Sequence, residues 1–301
     1  MDINENTPVV DVNDSFLKER KITLLIKRED LNHPFLSGNK WHKLKYNIRE
    51  AQIQGKKTLL TFGGAYSNHI YAVSAVGYVF KFNTIGIIRG EEHLPLNPTL
   101  SFAQENGMKL YYLDREKYRK KNSLEILDEL KKDFGDFYLL PEGGTNQLAV
   151  KGCSEIIDTL NEDFDYICCP CGTGGTLAGL ISGLKGKKFL LGIAVLKGAL
   201  FLKENVSSLI QDFNETNYNN WDINLDYHFG GYAKFDKHLL NFVNNFTSQN
   251  QIPIEPIYSG KMLFGIYDLV SRGFFKEGSR IIAIHTGGLQ GLKGLSERNV
   301  I

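Results

Sequence analysis

The chain has 301 residues, 42% of them hydrophobic and 23% charged, so it can bury a full core as one large or two ordinary domains. Its 35 basic and 34 acidic residues give a net charge of +1, which excludes broad electrostatic capture of nucleic acid or anionic membrane. The polar N-terminus does not show the basic start and apolar core of a secretion signal, and no apolar stretch reaches membrane-spanning length, so we expect a cytoplasmic protein.

Four cysteines bear on the redox and metal chemistry of the chain. Cys168, Cys169 and Cys171 lie in one apolar run, Cys153 precedes it, and no second Cys or His group follows at a zinc spacing. The pattern is typical of buried thiols in a reducing compartment. We therefore expect no metal site.

Short apolar segments alternate along the chain with segments of helical periodicity. The predicted strands are Ile22–Lys27, Thr58–Phe62, Thr84–Ile88, Met108–Leu113, Phe137–Leu140, Tyr166–Cys171, Leu190–Leu196, Leu225–Phe229 and Arg280–His285. The predicted helices include Trp41–Gln54, Ser123–Lys132 and Met262–Ser271. Several strands are continuous in Ile, Leu, Val and Tyr, which is typical of parallel strands buried on both faces. The fold class is therefore α/β, with mostly parallel strands and right-handed crossovers.

The nine predicted strands fit either one wide sheet or two smaller sheets. Residues 44–151 contain four strand–helix units and could form a small domain, although no Pro-, Gly- or Ser-rich linker marks its boundaries. Residues 1–43 and 152–301 would then form the larger domain.

The first chemically suggestive segment in chain order is SGNKWHKLKYN. Lys40 and Lys43 lie at positions i and i+3 of a predicted helix, where two ammonium groups repel each other. A bound anion or a neutral amine would relieve that repulsion, and a desolvated lysine of lowered pKa is a nucleophile or a Schiff-base former. Two solvated lysines on a helix surface are the ordinary alternative.

The second segment, FGGAYSNH, places Ser67 after a predicted strand. Asn68 and His69 follow it where the G-x-S-x-G elbow of a serine hydrolase requires glycine two residues on, so that activity is disfavoured. A hydroxyl at a helix start can bind a carboxylate together with nearby amides, or can simply cap the helix.

The third segment is the glycine turn Gly172–Thr176, which precedes an apolar helix. Glycines allow close approach of an anion, and helix N-terminal amides donate to it. A P-loop is excluded because no Lys-Ser or Lys-Thr follows. A dinucleotide site is disfavoured, because Ala194–Lys197 stands where an acidic ribose partner is needed. The turn therefore favours a single phosphate, and a turn that merely packs is the alternative.

The carboxyl ends of strands in an open α/β sheet are the usual place for ligands. The two segments FGGAYSNH and CPCGTGGT and a later turn, AIHTGGLQG, all follow predicted strands, which suggests a shared pocket. Tyr232 and Tyr258 follow apolar runs beside glycine, but in a chain with 14 tyrosines either one alone is better explained as a core residue.

Taken together, these motifs resemble the 1-aminocyclopropane-1-carboxylate deaminase/D-cysteine desulfhydrase family of pyridoxal-phosphate enzymes, which share the tryptophan-synthase-β fold. The resemblance spans nearly the whole chain, through GNKWHKL, FGGAYSNH, NPTLSFAQENGMKL, PEGGTN, CGTGGTLAG, YSGK and HTGGLQG in that order. It implies two open, mostly parallel sheet domains, of which the smaller, residues 44–151, is mobile. It also implies a homodimer that acts on a small amino acid.

The resemblance implies a role for each motif residue. Lys40 would hold pyridoxal 5'-phosphate covalently and later act as the base at Cα, and Ser67 would contact the substrate carboxylate, with His69 beside it. Asn68 would contact the ring hydroxyl. Tyr232 and Tyr258 match the family's two active-site tyrosines. The residues that would hold the phosphate are Lys43, Gly172, Thr173, Gly174, Gly175 and Thr176.

Two positions distinguish the family's activities. Cyclopropane-cleaving members resemble one another in having Glu after the second tyrosine and Leu in the H-x-G-G turn, where this chain has Ser259 and Thr286. A carboxylate at the pyridine nitrogen keeps the ring protonated and makes it a strong electron sink, whereas a hydroxyl does not. Because a thiolate leaves easily, the pair favours desulfhydration of D-cysteine to pyruvate, ammonia and sulfide.

Other activities remain open from the sequence. The same site would serve cyclopropane deamination, D-serine dehydration or elimination from a cysteate. A vitamin-B6-binding protein without turnover is a further alternative, disfavoured by Ser67 and the two tyrosines, which a carrier does not need.

Overall fold

A computed structural model describes residues 3–297 of the chain as ten strands and twelve helices. The strands are β1 (Val9–Asp11), β2 (Thr23–Lys27), β3 (Thr58–Gly63), β4 (Asn83–Arg89), β5 (Met108–Leu113), β6 (Tyr138–Leu140), β7 (Tyr166–Cys171), β8 (Phe189–Ala194), β9 (Trp221–Asn224) and β10 (Arg280–Ile284). The helices are α1 (Ser15–Glu19), α2 (Asn39–Ile53), α3 (Asn68–Phe80), α4 (Pro98–Glu105), α5 (Arg115–Arg119), α6 (Leu124–Phe134), α7 (Gln147–Ser154), α8 (Gly175–Leu184), α9 (Phe201–Asn214), α10 (Lys237–Asn250), α11 (Ser259–Ser271) and α12 (Gly291–Glu297).

The described chain divides into two compact units, each built on its own sheet. The four-stranded unit comprises residues 44–145 and 290–297, and the six-stranded unit comprises residues 3–43 and 146–289. Of the two sequence-based possibilities, two smaller sheets is therefore correct. The assignment of residues 44–151 to a mobile domain, and of residues 1–43 and 152–301 to a cofactor domain, stays a prediction.

The six-stranded unit has the strand order β1-β2-β10-β7-β8-β9, with every neighbouring pair parallel except β1 and β2. Successive side chains of β7 point to opposite faces, so Cys168 belongs to one apolar core and Cys169 and Cys171 to the other. Residues of α10 and α11 contribute to the first core, and residues of α7, α8 and α9 to the second. Burial on both faces explains the continuous apolar sequence of these strands.

The four-stranded unit has the fully parallel order β5-β4-β3-β6. Phe62 and Ile87 are register partners at its centre and pack with Leu130 of α6 in one core. The first turn of α3 follows directly from the loop after β3, which brings the FGGAYSNH segment to the carboxyl end of a central strand.

Most predicted strands agree with the structure within one or two residues, but Leu225–Phe229 is wrong. The strand in that region is β9, and the following residues form a turn. The side chain of Asn224 accepts a hydrogen bond from the main-chain N–H of Asp226 at 2.8 Å, which ends the strand, and Phe229 has a left-handed φ of 51°. The sequence also gave no sign of β1, a three-residue edge strand.

No helix among residues 3–297 combines the length and the hydropathy that a membrane crossing requires. The four cysteines are buried and form no disulfide. Burial raises the pKa of the Cys171 thiol to about 12 and the pKa of Cys169 well above its usual value.

Candidate functional site in the six-stranded unit

The glycine turn Gly172–Thr176 connects β7 to α8 at the carboxyl end of a central strand. Gly174 has a φ of +85°, and a Cβ there would lie 2.8 Å from Cγ2 of Val206, so both the backbone and the space require glycine. Because Gly174 occupies the N-cap position of α8, no side chain at that position caps the helix. The arrangement suits an anion bound by main-chain amides.

The N-terminal turn of α2 contacts this glycine turn at two points. The side-chain amide of Asn39 donates to Oγ1 of Thr176 at 2.8 Å, and Nζ of Lys43 donates to Oγ1 of Thr173 at 3.4 Å. The two segments that sequence analysis connected only through a hypothetical ligand therefore meet in the folded chain.

The two lysines of α2 have unusual electrostatics. Lys40 is partly buried and donates to Oδ1 of Asn39 at 2.7 Å, while Lys43 is 3% exposed. Desolvation of its amine, followed by the positive charge of Lys43, lowers the pKa of Lys40 to about 7. Burial also lowers the pKa of Lys43. A substantial fraction of Lys40 is therefore a neutral, nucleophilic amine at neutral pH.

The start of α2 is fixed by the turn that follows β10. The main-chain N–H of Asn39 donates to the carbonyl of Thr286 at 3.2 Å. Gly38 has a φ of +71°, and a Cβ there would lie 1.9 Å from the same carbonyl oxygen, so only glycine fits. The side chain of Thr286 is 7% exposed. The H-x-G-G turn thus anchors the helix that carries both lysines.

The two predicted tyrosines lie next to each other and next to the glycine turn. Their rings are 5.9 Å apart at an interplanar angle of 70°, which is edge-to-face geometry. Cε1 of Tyr258 lies 3.3 Å from the position of a Cβ built on Gly172. Tyr232 is 42% exposed. The structure therefore brings together Lys43, the glycine turn, Tyr258 and Tyr232 within one unit.

Ser259 is fully buried at the start of α11, beside a carboxylate that sequence analysis missed. Its hydroxyl lies 3.1 Å from Oε1 of Glu255, and its main-chain N–H donates to the same oxygen at 2.8 Å. Burial raises the pKa of Glu255, and the hydrogen bonds from α11 oppose that shift. An acidic residue just before a helix start was the available signal.

Ser67, Asn68 and His69 lie in the four-stranded unit, at the start of α3. Oγ of Ser67 accepts from the main-chain N–H groups of His69 at 3.2 Å and Ile70 at 3.3 Å, so the serine is an N-cap. His69 is 2% exposed, and its Nε2 lies 2.8 Å from Oγ1 of Thr61. Contacts of these residues with a ligand stay predictions.

The chain matches known proteins over almost its whole length. The description "Pyridoxal-phosphate dependent enzyme" applies to a family whose sequence pattern matches residues 1–287. A relative in Arabidopsis thaliana, named bifunctional D-cysteine desulfhydrase/1-aminocyclopropane-1-carboxylate deaminase, mitochondrial, is 32% identical over 89% of this chain and 73% of its own. A D-cysteine desulfhydrase of Klebsiella pneumoniae is 26% identical over 89% of this chain and 88% of its own.

A solved structure described as an ACC deaminase homologue superposes with a TM-score of 0.85 at 26% identity, covering 98% of this chain and 94% of that one. The chain therefore belongs to the family of pyridoxal-phosphate dependent enzymes, and pyridoxal phosphate is its cofactor. Within that family it is of the D-cysteine desulfhydrase and 1-aminocyclopropane-1-carboxylate deaminase type, with the two-sheet fold that the sequence predicted.

The residues of the six-stranded unit fit such a cofactor. A buried amine of lowered pKa matches the aldehyde, and a glycine turn at a helix N-terminus beside Lys43 matches the phosphate. The bound cofactor supplies an electron sink for negative charge that develops at the substrate Cα.

Proposed function

We propose that the enzyme is a D-cysteine desulfhydrase, which eliminates sulfide from the substrate and gives pyruvate and ammonia. The observation that carries the site assignment is the contact between the first turn of α2 and the glycine turn, 2.8 Å from Asn39 to Thr176. It supports Lys40 as the residue that holds the cofactor. It also supports Lys43, with Gly172, Thr173, Gly174, Gly175 and Thr176, as the phosphate site.

Lys40 also acts as the base in this proposal. Its pKa of about 7 means that a substantial fraction of the free Lys40 amine is able to accept a proton at neutral pH, so it would serve as the base at Cα when the cofactor is bound. The rings of Tyr258 and Tyr232 lie 5.9 Å apart, and we assign protonation of the departing sulfur to the phenol group of one of them. Ser67 with His69 is proposed for the substrate carboxylate, and Asn68 for the ring hydroxyl, on the resemblance of FGGAYSNH alone.

The choice of D-cysteine depends on Ser259 and Thr286. Thr286 is the residue whose carbonyl anchors α2. Ser259 bears a hydroxyl that Glu255 already engages, so it is a weak partner for a pyridine nitrogen. A weak partner suffices for a thiolate leaving group, while opening a cyclopropane demands more. Replacing Ser259 by Glu and Thr286 by Leu should raise the ratio of cyclopropane deamination to desulfhydration, and an unchanged ratio would remove this argument.

The decisive experiment measures pyruvate and sulfide released from D-cysteine by the wild type and by Lys40→Ala. We expect the variant to lose at least about 1,000-fold in turnover. The matched control is Lys45→Ala on the same helix. Equal rates for wild type and Lys40→Ala would disprove the role of Lys40.

A substrate panel tests the alternatives of cyclopropane deamination, D-serine dehydration and cysteate elimination. An absorbance band of the bound cofactor that no amino acid changes would instead support a non-catalytic protein that binds vitamin B6. The homodimer and the cytoplasmic location stay predictions, the first of which sedimentation measures directly.

A further inference from the structure

Two buried charged side chains, one just before α11 and one in its first turn, have no catalytic or cofactor-binding role in the function proposed above. Glu255 is 2% exposed, and Lys261, two residues into the helix from Ser259, is fully buried. Burying an ionised group is costly unless hydrogen bonds satisfy it. The hydrogen bonds of these two side chains therefore identify the backbone segments that the two buried charges stabilise.

Glu255 organises the backbone around Tyr258. Its carboxylate accepts main-chain N–H bonds from Ile257 at 2.6 Å, from Tyr258 at 2.9 Å and from Ser259 at 2.8 Å. The residue that carries one tyrosine ring is thus held on both sides by one buried carboxylate. Charge-assisted bonds of this kind are the stronger ones in proteins.

Lys261 organises the backbone around Tyr232 in the same way. Its Nζ donates to the main-chain carbonyls of Gly231 at 2.8 Å, of His228 at 2.9 Å and of Val195 at 3.5 Å. The first two lie in the loop that leads directly into the other tyrosine. A single buried ammonium therefore ties that loop to the helix that begins beside Tyr258.

The tethered loop has a backbone that needs such support. The φ values are 51° at Phe229, 90° at Gly230, 125° at Gly231 and 55° at Ala233, so the residues that flank Tyr232 are in the left-handed region. Non-glycine residues adopt that region at a cost, and they keep it only where surrounding contacts enforce it. Lys261 bonds the main chain next to these residues, at His228 beside Phe229 and at Gly231.

We propose that Glu255 and Lys261 are positioning residues that hold Tyr258 and Tyr232 in their edge-to-face pair and thereby set proton delivery to the leaving group. The inference rests on the proposed function of the two tyrosines. A small displacement of a proton donor lowers kcat strongly, because the loop must be reordered before the donor reaches the leaving group.

The test is a double-mutant cycle between Tyr232→Phe and Lys261→Met. We expect Tyr232→Phe to lower kcat on the order of 100-fold, as for loss of a general acid. Lys261→Met should lower kcat by about tenfold or more, with a smaller change in KM, because the donor is misplaced while other substrate contacts persist. The double variant should stay within about twofold of Tyr232→Phe, since a misplaced ring without its hydroxyl has nothing more to lose.

A second readout does not depend on turnover. Nitration of Tyr232, followed by mass analysis of its peptide, should be faster in Lys261→Met than in the wild type, because the loop is no longer tethered. The absorbance of the bound cofactor should be unchanged. Lys237→Met, at an exposed lysine of α10, is the matched control and should behave as wild type in every assay.

The outcomes separate the inference from the proposed function. Wild-type turnover in Tyr232→Phe would refute the role of that tyrosine. An impaired Tyr232→Phe, combined with full turnover in Lys261→Met or with losses that multiply in the double variant, would overturn the positioning role alone. If Lys261→Met fails to fold, Lys261→Gln, which keeps an amide donor without the charge, enters the same cycle with the same criteria.

Discussion

The starts of α8 and α11 are built in opposite ways, although both lie in the six-stranded unit. At α11, the buried carboxylate of Glu255 accepts the first amides of the helix. At α8, the N-cap is Gly174, which has no side chain, and the turn is contacted by the amine of Lys43. One helix start is satisfied by its own chain, and the other suits an anion that comes from outside.

The two helix starts differ most clearly in the sign of the charge beside them, and that charge identifies the ligand site better than the glycines do. An anionic side chain marks a structural helix start, and a cationic one marks a start prepared for phosphate. Each of the following experiments challenges this difference at one residue.

The largest effect should come from giving α8 the kind of cap that α11 has. Gly174→Asp places a carboxylate at the anion site, where it competes for the amides and repels phosphate. We expect the Kd of pyridoxal phosphate to rise about 100-fold, or about 2.7 kcal/mol. Gly174→Ala carries the same backbone strain and the same contact with Val206 without the charge, and it serves as control. Equal affinities of the two variants would show that the charge at the start of α8 does not determine phosphate binding.

The converse change is made at α11. Glu255→Gln leaves one acceptor oxygen but turns an NH₂ group toward main-chain donors, so the free energy of unfolding should fall by about 2 kcal/mol. Cofactor affinity should remain within about twofold, because α11 does not hold the phosphate. Denaturant unfolding and cofactor titration measure the two quantities, with Glu105→Gln, at an exposed residue of α4, as control. A stable variant with weak cofactor binding would reverse the roles of the two helix starts.

The lysine pair of α2, of which Lys43 contacts the turn at the start of α8, leads to a prediction about pH. The pKa of Lys40 is about 7, so the reactive neutral amine rises from roughly one tenth to nine tenths of the total between pH 6 and pH 8. The rate at which apoprotein combines with pyridoxal phosphate should therefore rise about tenfold over that interval and then level off. Stopped-flow absorbance follows the reaction. A rate that keeps rising toward pH 10 would mean that the amine is ordinary.

The smallest effect concerns a third helix start, that of α3 in the four-stranded unit, where the cap is the uncharged hydroxyl of Ser67. Ser67→Ala removes an acceptor from the N–H groups of His69 and Ile70 and should cost about 1 kcal/mol of unfolding free energy. Cofactor affinity should change little, whereas KM for the amino acid should rise if the hydroxyl also binds the substrate carboxylate. Ser101→Ala, in α4 of the same unit, is the comparison for a serine outside a cap.

The glycine turn and the two lysines were accessible to sequence analysis because their signals are local. Gly174 follows a strand and opens a helix, and Lys40 and Lys43 repeat at helical spacing, so each motif carries its own structural context. Their meeting was predicted only through a ligand, since no local rule places Asn39 against Thr176, more than a hundred residues away.

Glu255 and Lys261 were missed for the opposite reason. The acidic residue before a helix start was a local signal for Glu255, but a glutamate on the surface gives the same signal. The role of Lys261 arises only where the carbonyls of His228 and Gly231 converge. The misplaced strand at Leu225–Phe229 has a similar cause. Its apolar residues satisfy the pattern of a strand. The turn at Asn224 and the left-handed φ of Phe229 redirect the chain before these residues can pair with a neighbouring strand.

The four buried cysteines have a practical consequence for labelling experiments that follow conformational change. At neutral pH three of them are protonated, because burial raises the pKa of Cys171 to about 12 and the pKa values of Cys168 and Cys169 above their usual range. Maleimide dyes and spin labels attack thiolates that solvent can reach. One cysteine introduced on the surface of each unit can therefore be labelled while the four native cysteines remain in place.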